Sequence, residues 1–112
     1  MVITGMNLEF DFTFKGVKST WHEAMTAVSH KNRDVGLKEV WRLPSRQEFL
    51  FIYTFKDLGV YNIWPLPSTL YWTNGEYIDF SRAIVWDSLS GDYFTSREKL
   101  TSHCGIIMVR EI

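Results

Sequence analysis

The chain has little cysteine, little proline and no excess of charge of either sign. It carries one Cys and three Pro in 112 residues, and 12 Lys and Arg against 13 Asp and Glu leave a formal net charge of −1. One Cys excludes an intramolecular disulfide framework and a Cys-rich zinc site. A balanced charge argues against a nucleic-acid binder, which needs surplus Lys and Arg to displace counterions from phosphates. No run of about 18 apolar residues exists, so no membrane helix is expected; the longest uncharged stretch, Leu58 to Gly75, is broken by Pro65, Pro67 and several polar residues. Met1–Phe10 has neither a basic region nor an apolar segment of signal length, which points to a cytoplasmic protein, or to a secreted one if a signal has been removed. What the chain does have is aromatic side chains: five Trp, five Tyr and eight Phe within 46% apolar residues. That excludes a disordered chain and fits one compact domain over 1–112.

Leu8, Phe10, Phe12 and Phe14 alternate with polar residues up to Gly16, which predicts a half-buried strand. Thr20-Trp-His-Glu23 has capping-box spacing, and Trp21, Ala24, Met25 and Val28 follow at helical intervals. The first helix should bury that face and fray over 30–36, with Gly36 as its stop. A short strand is expected at Glu39–Arg42. Ser45-Arg-Gln-Glu48 is a second capping box, opening a helix that runs to about Asp57–Gly59. Strands are expected at Leu70–Thr73, Ser81–Asp87, Tyr93–Thr95 and Gly105–Arg110, with turns at Asn74-Gly75 and Ser88–Gly91. Two helices segregated from an antiparallel sheet make an α+β domain.

Trp41-Arg-Leu-Pro-Ser45 with Glu48, then Tyr71-Trp-Thr73, Ala83-Ile-Val-Trp-Asp87, Gly91 and Val109-Arg110, resemble in order the motifs of the family related to the C-terminal domain of Lcl-type collagen-like adhesins. The resemblance covers roughly 8–112. It implies a single C-type lectin-like domain, two helices on a small antiparallel sheet with long irregular loops, from a bacterial or phage setting, and it brings glycan binding or adhesion into view. Formylglycine-generating enzymes carry a related motif, but this chain lacks their length and their paired redox cysteines. The calcium- and sugar-binding loop motifs of C-type lectin-like folds are also missing; Trp86-Asp87 is only a faint echo of one. The motif itself reads structurally: Trp41 as a buried anchor, Arg42 paired with a carboxylate or loop carbonyls, Pro44 holding Leu43 extended, and Ser45 with Glu48 capping the helix.

Candidate chemistry is sparse. His22 and His30 are eight apart rather than four, and adjacent strand residues His103 and Cys104 point to opposite faces. No catalytic motif, metal set or cofactor loop is present, so the chain is read as a non-enzyme without cofactor or metal. Aromatic residues in or beside irregular segments are the remaining clue. Tyr61, Trp64, Tyr71, Tyr77 and Trp86, with Asp87 of the following hairpin, form the candidate partner surface, set against the alternative that they fill the core. The expected function is a binding module for a protein partner, with a phage or mobile-element protein acting on a host factor as its setting. A glycan-binding or adhesion module and a small thiol or hydrolytic enzyme using Cys104 are the alternatives. No nucleic acid or membrane is expected as partner, and both monomer and homodimer stay open.

Overall fold

The computed structural model describes residues 2–3, 7–14, 16–34, 40–58, 66–67, 69–76 and 81–112. Among these, eight strands and two α-helices are found: β1 (Val2–Ile3), β2 (Leu8–Asp11), β3 (Lys18–Ser19), α1 (Trp21–Lys31), α2 (Arg46–Leu58), β4 (Leu70–Glu76), β5 (Arg82–Asp87), β6 (Tyr93–Glu98), β7 (Cys104–Gly105) and β8 (Met108–Glu111). A 3₁₀ turn at Asn32–Asp34 follows α1. The domain is α+β. One sheet runs β1-β2-β8 and the other β3-β7-β4-β5-β6. All described pairings are antiparallel except β4 with β7, which is parallel at Tyr71 and Gly105.

Both helices begin where their sequences place a cap. Thr20 Oγ1 accepts from the Glu23 N–H, and Glu23 Oε1 accepts from the Thr20 N–H. Ser45 and Glu48 make the same reciprocal pair. Each box satisfies two main-chain donors, one inside the first helical turn and one on the cap residue.

The pleat of β4 and β5 divides the core in two, because successive strand residues face opposite sides. Tyr71 and Trp86 lie directly opposite one another and face α2, where they join Phe49, Ile52 and Phe55 with Leu8, Phe10, Ile107 and Val109. Trp72, Val85 and Ala83 face the other way, toward Ala24 and Val28 of α1, with Trp41, Leu43, Cys104, Ile106 and Met108.

Four local expectations change. Asn74-Gly75 is not a hairpin turn: β4 continues through it to Glu76 with a shift of register after Trp72. Thr73 Oγ1 bridges this irregular stretch, donating to the Ile84 carbonyl and accepting from the Gly75 N–H. The C-terminal apolar run is two strands, because the chain leaves one sheet after Gly105 and joins the other at Met108, placing Ile106 in one core and Ile107 in the other. The strand expected to reach Lys15 stops at Asp11, where Asp11 Oδ1 accepts from the Thr13 N–H and turns the chain. The strand expected at Glu39–Arg42 is, in its described part, a single bridge between Arg42 and Val109. The Gly36 stop lies outside the described residues.

Candidate binding site

The strand-to-helix corner at 41–48 is the most fully bonded part of the surface. Arg42 forks onto Glu48, Nη1 to Oε1 at 2.6 Å and Nη2 to Oε2 at 2.8 Å. Glu48 Oε1 also accepts from the Ser45 N–H. Burial opposes the charge on Glu48, but the guanidinium and Ser45 outweigh it and hold its pKa below the usual carboxylate value. The Glu48 bond, opposed in part by burial, raises Arg42 further. Trp41 is buried behind this pair, with Lys31 Nζ 4.3 Å and the Arg110 guanidinium 4.9 Å from its ring centroid. Both cations are themselves paired, Lys31 with Asp11 and Arg110 with Glu9. Burial works against the Asp11 charge too, yet Lys31 and Thr13 keep its pKa low. Trp41, Arg42, Pro44, Ser45 and Glu48 thus spend their bonding on one another and on the chain beside them.

Beside this corner lies a cleft of about 510 Å³. Trp21, Met25 and Val28 of α1 form one wall, and Val40, Trp41 and Leu43 the other, with Thr73 and Asn74 at one end. Residues 21, 25, 28 and 32 repeat at intervals of four, three and four, a single helical stripe. Met25, expected in the core with Trp21 and Val28, is instead 39% exposed and Val40 is 55% exposed, both on the cleft. Three of the polar residues that line it are engaged within the domain, while Ser29 and Asn74 lie exposed on it. Asn32 uses both ends of its amide on the Trp41 main chain, Arg42 is held by Glu48, and Thr73 by the Ile84 carbonyl. Among the described residues the lining includes no Asp, Glu, His, Cys or Lys. Such a site can take up an apolar group.

The sequence-based surface fares differently. Tyr71 and Trp86 are not surface groups. Both are fully buried, Trp86 stacked on Phe49 at 4.8 Å with its Nε1 donating to the Gly91 carbonyl. They lie beside irregular chain in sequence but on the inward face of paired strands, and burying such large rings outweighs any gain from displaying them. Asp87 Oδ1 accepts from the Leu89 N–H and so builds the hairpin turn. The hairpin does display Leu89 and Tyr93, 73% and 55% exposed. Tyr61, Trp64 and Tyr77 lie outside the described residues. Cys104 is buried, and burial, offset in part by Arg97, pushes its thiol up to about 11, so it is a poor nucleophile at neutral pH. His22, His30 and His103 are exposed. Among the described residues no group of His, Cys, Asp and Glu is placed to hold a metal ion, and no helix is long and apolar enough to cross a membrane. Sequence reasoning missed Met25 and Val40 as surface groups, and no local signal in the sequence sets them apart from core positions.

Compared with known proteins, the chain matches no family model, no curated protein and no solved structure.

Proposed function

We propose that this chain is a non-enzymatic binding module whose partner is a protein, and that the partner seats an apolar side chain in the cleft between α1 and residues 40–43. The observation that carries this reading is the cleft itself: largely apolar walls, two exposed apolar residues, Met25 and Val40, on its lining, and Asn32, Arg42 and Thr73 already bonded within the domain. A largely apolar pocket with a few polar groups is the setting in which one buried anchor contributes most to an interface. The C-type lectin-like scaffold goes with this reading, supported by the resemblance at 41–48 and by two helices packed on a mostly antiparallel sheet. So does a bacterial or phage setting, which rests on the resemblance.

Affinity capture with the tagged chain tests it. The expected result is a stoichiometric protein retained by the native chain and by Leu89→Asp, but lost with the double variant Met25→Asp, Val40→Asp at unchanged thermal stability. Capture undiminished by the double variant, or no captured protein from any bacterial lysate tried, would overturn it.

A further inference from the structure

On the face that meets α2, β5 and β6 set Trp86 opposite Phe94, Ile84 opposite Ser96 and Arg82 opposite Glu98. Phe49 of α2 covers the first pair by stacking on Trp86. The second pair, with Phe94, Thr95 and Arg46, the first residue of α2, lines a pocket of about 250 Å³. The polar side chains around it present donors. The Arg46 guanidinium lies 4.7 Å from the Phe94 ring centroid, and no carboxylate pairs with it among the described residues. Glu48 projects from another side of α2, since two helical steps turn a side chain by about 200°, and it is held by Arg42. Ser96 Oγ accepts from Arg82 Nε at 3.0 Å, so its own O–H is left to donate, and it has no acceptor among the described residues. Arg82 Nη2 and Arg97 Nη1 both donate to the Ser96 carbonyl, at 2.9 and 3.0 Å, which brings two guanidinium groups to one oxygen. Among the described residues the one carboxylate paired with them is Glu98, 3.8 Å from Arg82 and with a side chain 58% exposed. Three guanidinium groups against one loosely held carboxylate make a local surplus of positive charge in a chain whose net charge is −1.

We propose that this pocket binds the phosphate group of a small phosphate monoester. Arg46 and the Ser96 hydroxyl donate to the phosphate oxygens, Arg82 and Arg97 add their charge from beside the Ser96 carbonyl, and Ile84 and Phe94 take the carbon group that carries the phosphate. A phosphate brings a charge of about −1.5 to −2 and three acceptor oxygens, so it gains more than a carboxylate where several guanidinium groups act together. Stacking on Phe94 already orders Arg46, which leaves less side-chain freedom to lose on binding. The volume is below the roughly 300–1,000 Å³ of pockets for drug-sized ligands, which suits a phosphate on a small carbon group. The pocket lies beyond the ring-filled layer under α2, on the other face of the sheet from α1, and the inference does not depend on the cleft.

Amide NMR of the full chain, titrated at constant ionic strength with inorganic phosphate, phenyl phosphate and a phosphoserine peptide, tests it. Saturable shifts are expected at Arg46, Ile84 and Ser96 with millimolar phosphate. Arg46→Gln should weaken binding about tenfold or more, the usual loss of a charged donor, and Ser96→Ala about threefold. Arg33→Gln, an exposed cation in the 3₁₀ turn after α1, should leave it unchanged. Glu98→Gln should tighten it about twofold or more, because Arg82 loses its competing carboxylate; a residue that only holds the fold would not give that gain. Thermal melts of each variant show that the domain is intact. Phenyl phosphate binding more tightly than the peptide supports a small ester as the source of the group, and the reverse order would overturn that source in favour of a phosphorylated protein. No saturable shift at these amides, undiminished binding by Arg46→Gln, an equal loss in Arg33→Gln, or no gain in Glu98→Gln would each overturn the site itself.

Discussion

The two cores on either side of the central sheet differ in how they are closed. The α2 side is a stack of rings, Phe49 on Trp86 and Tyr71 beside it, with Phe12, Phe51, Tyr53, Leu66 and Phe94 packed around its margin. The α1 side is built of smaller groups, Ala24, Val28, Ala83, Val85 and Cys104, around Trp41 and Trp72, and it opens into the cleft. A ring-filled layer leaves no room for a visitor. Smaller groups leave space between α1 and residues 40–43, where the cleft lies. The ring-filled layer and the cleft are thus separated by the sheet itself, so changes on the first side should read mainly as stability, and changes on the second as affinity for the proposed partner.

The largest test compares two tryptophans. Trp86→Ala should cost about 4–5 kcal/mol, since it removes a fully buried ring and leaves a closed cavity. Trp41→Ala should cost about 3 kcal/mol, because the space it vacates joins the open cleft and water can enter. Urea unfolding of both gives the difference. Equal losses would mean that the α1 side is closed like the other.

Gly91 sharpens the same contrast from the hairpin side. Its φ is +82°, and a Cβ there would stand 2.4 Å from the Tyr53 ring. Gly91→Ala should therefore cost about 2 kcal/mol or more through left-handed strain and displacement of Tyr53. A thermal melt within a degree of the native chain would show that the hairpin moves freely over α2.

These contrasts explain which parts of the fold were legible. Both capping boxes were readable because a helix start depends on four consecutive residues. The motif at 41–48 was readable because its partners lie within eight residues. Tyr71 and Trp86 were misassigned to the surface because their burial comes from α2 and from strands distant in sequence. Asn74-Gly75 has the composition of a turn, yet tertiary pairing with β5 draws it into a strand. The cleft depends on how far α1 overhangs the sheet, which no local pattern encodes.

A smaller effect tests the polar corner that borders the cleft. Glu48 is held by Arg42 and Ser45, and its folded pKa lies below its unfolded value. A group depressed on folding contributes stability that is complete above its unfolded pKa and lost as pH falls through the folded one. Glu48→Gln should therefore cost about 1–2 kcal/mol at pH 7, less than a wholly buried pair because Arg42 keeps a third of its side chain exposed. The gap between native and Glu48→Gln stabilities should close as pH falls below about 4. A gap independent of pH would show that the corner is held by shape and not by its ion pair.

The smallest effect compares one device in two settings. Thr20 and Ser45 cap α1 and α2 through the same reciprocal bonds, but the first box is exposed and the second is partly buried and joined to Arg42. Ser45→Ala should cost about 1–1.5 kcal/mol, because the donor it leaves at Glu48 is shielded from water and the carboxylate loses its alignment with Arg42. Thr20→Ala should cost about 0.5–1 kcal/mol, since water can replace the lost hydroxyl. Amide exchange at Glu23 and Glu48 separates local fraying from global destabilisation. Faster exchange confined to the first turn of α1 in Thr20→Ala, against a global loss in Ser45→Ala, is the pattern expected if α2 belongs to the closed scaffold and α1 to the side that opens.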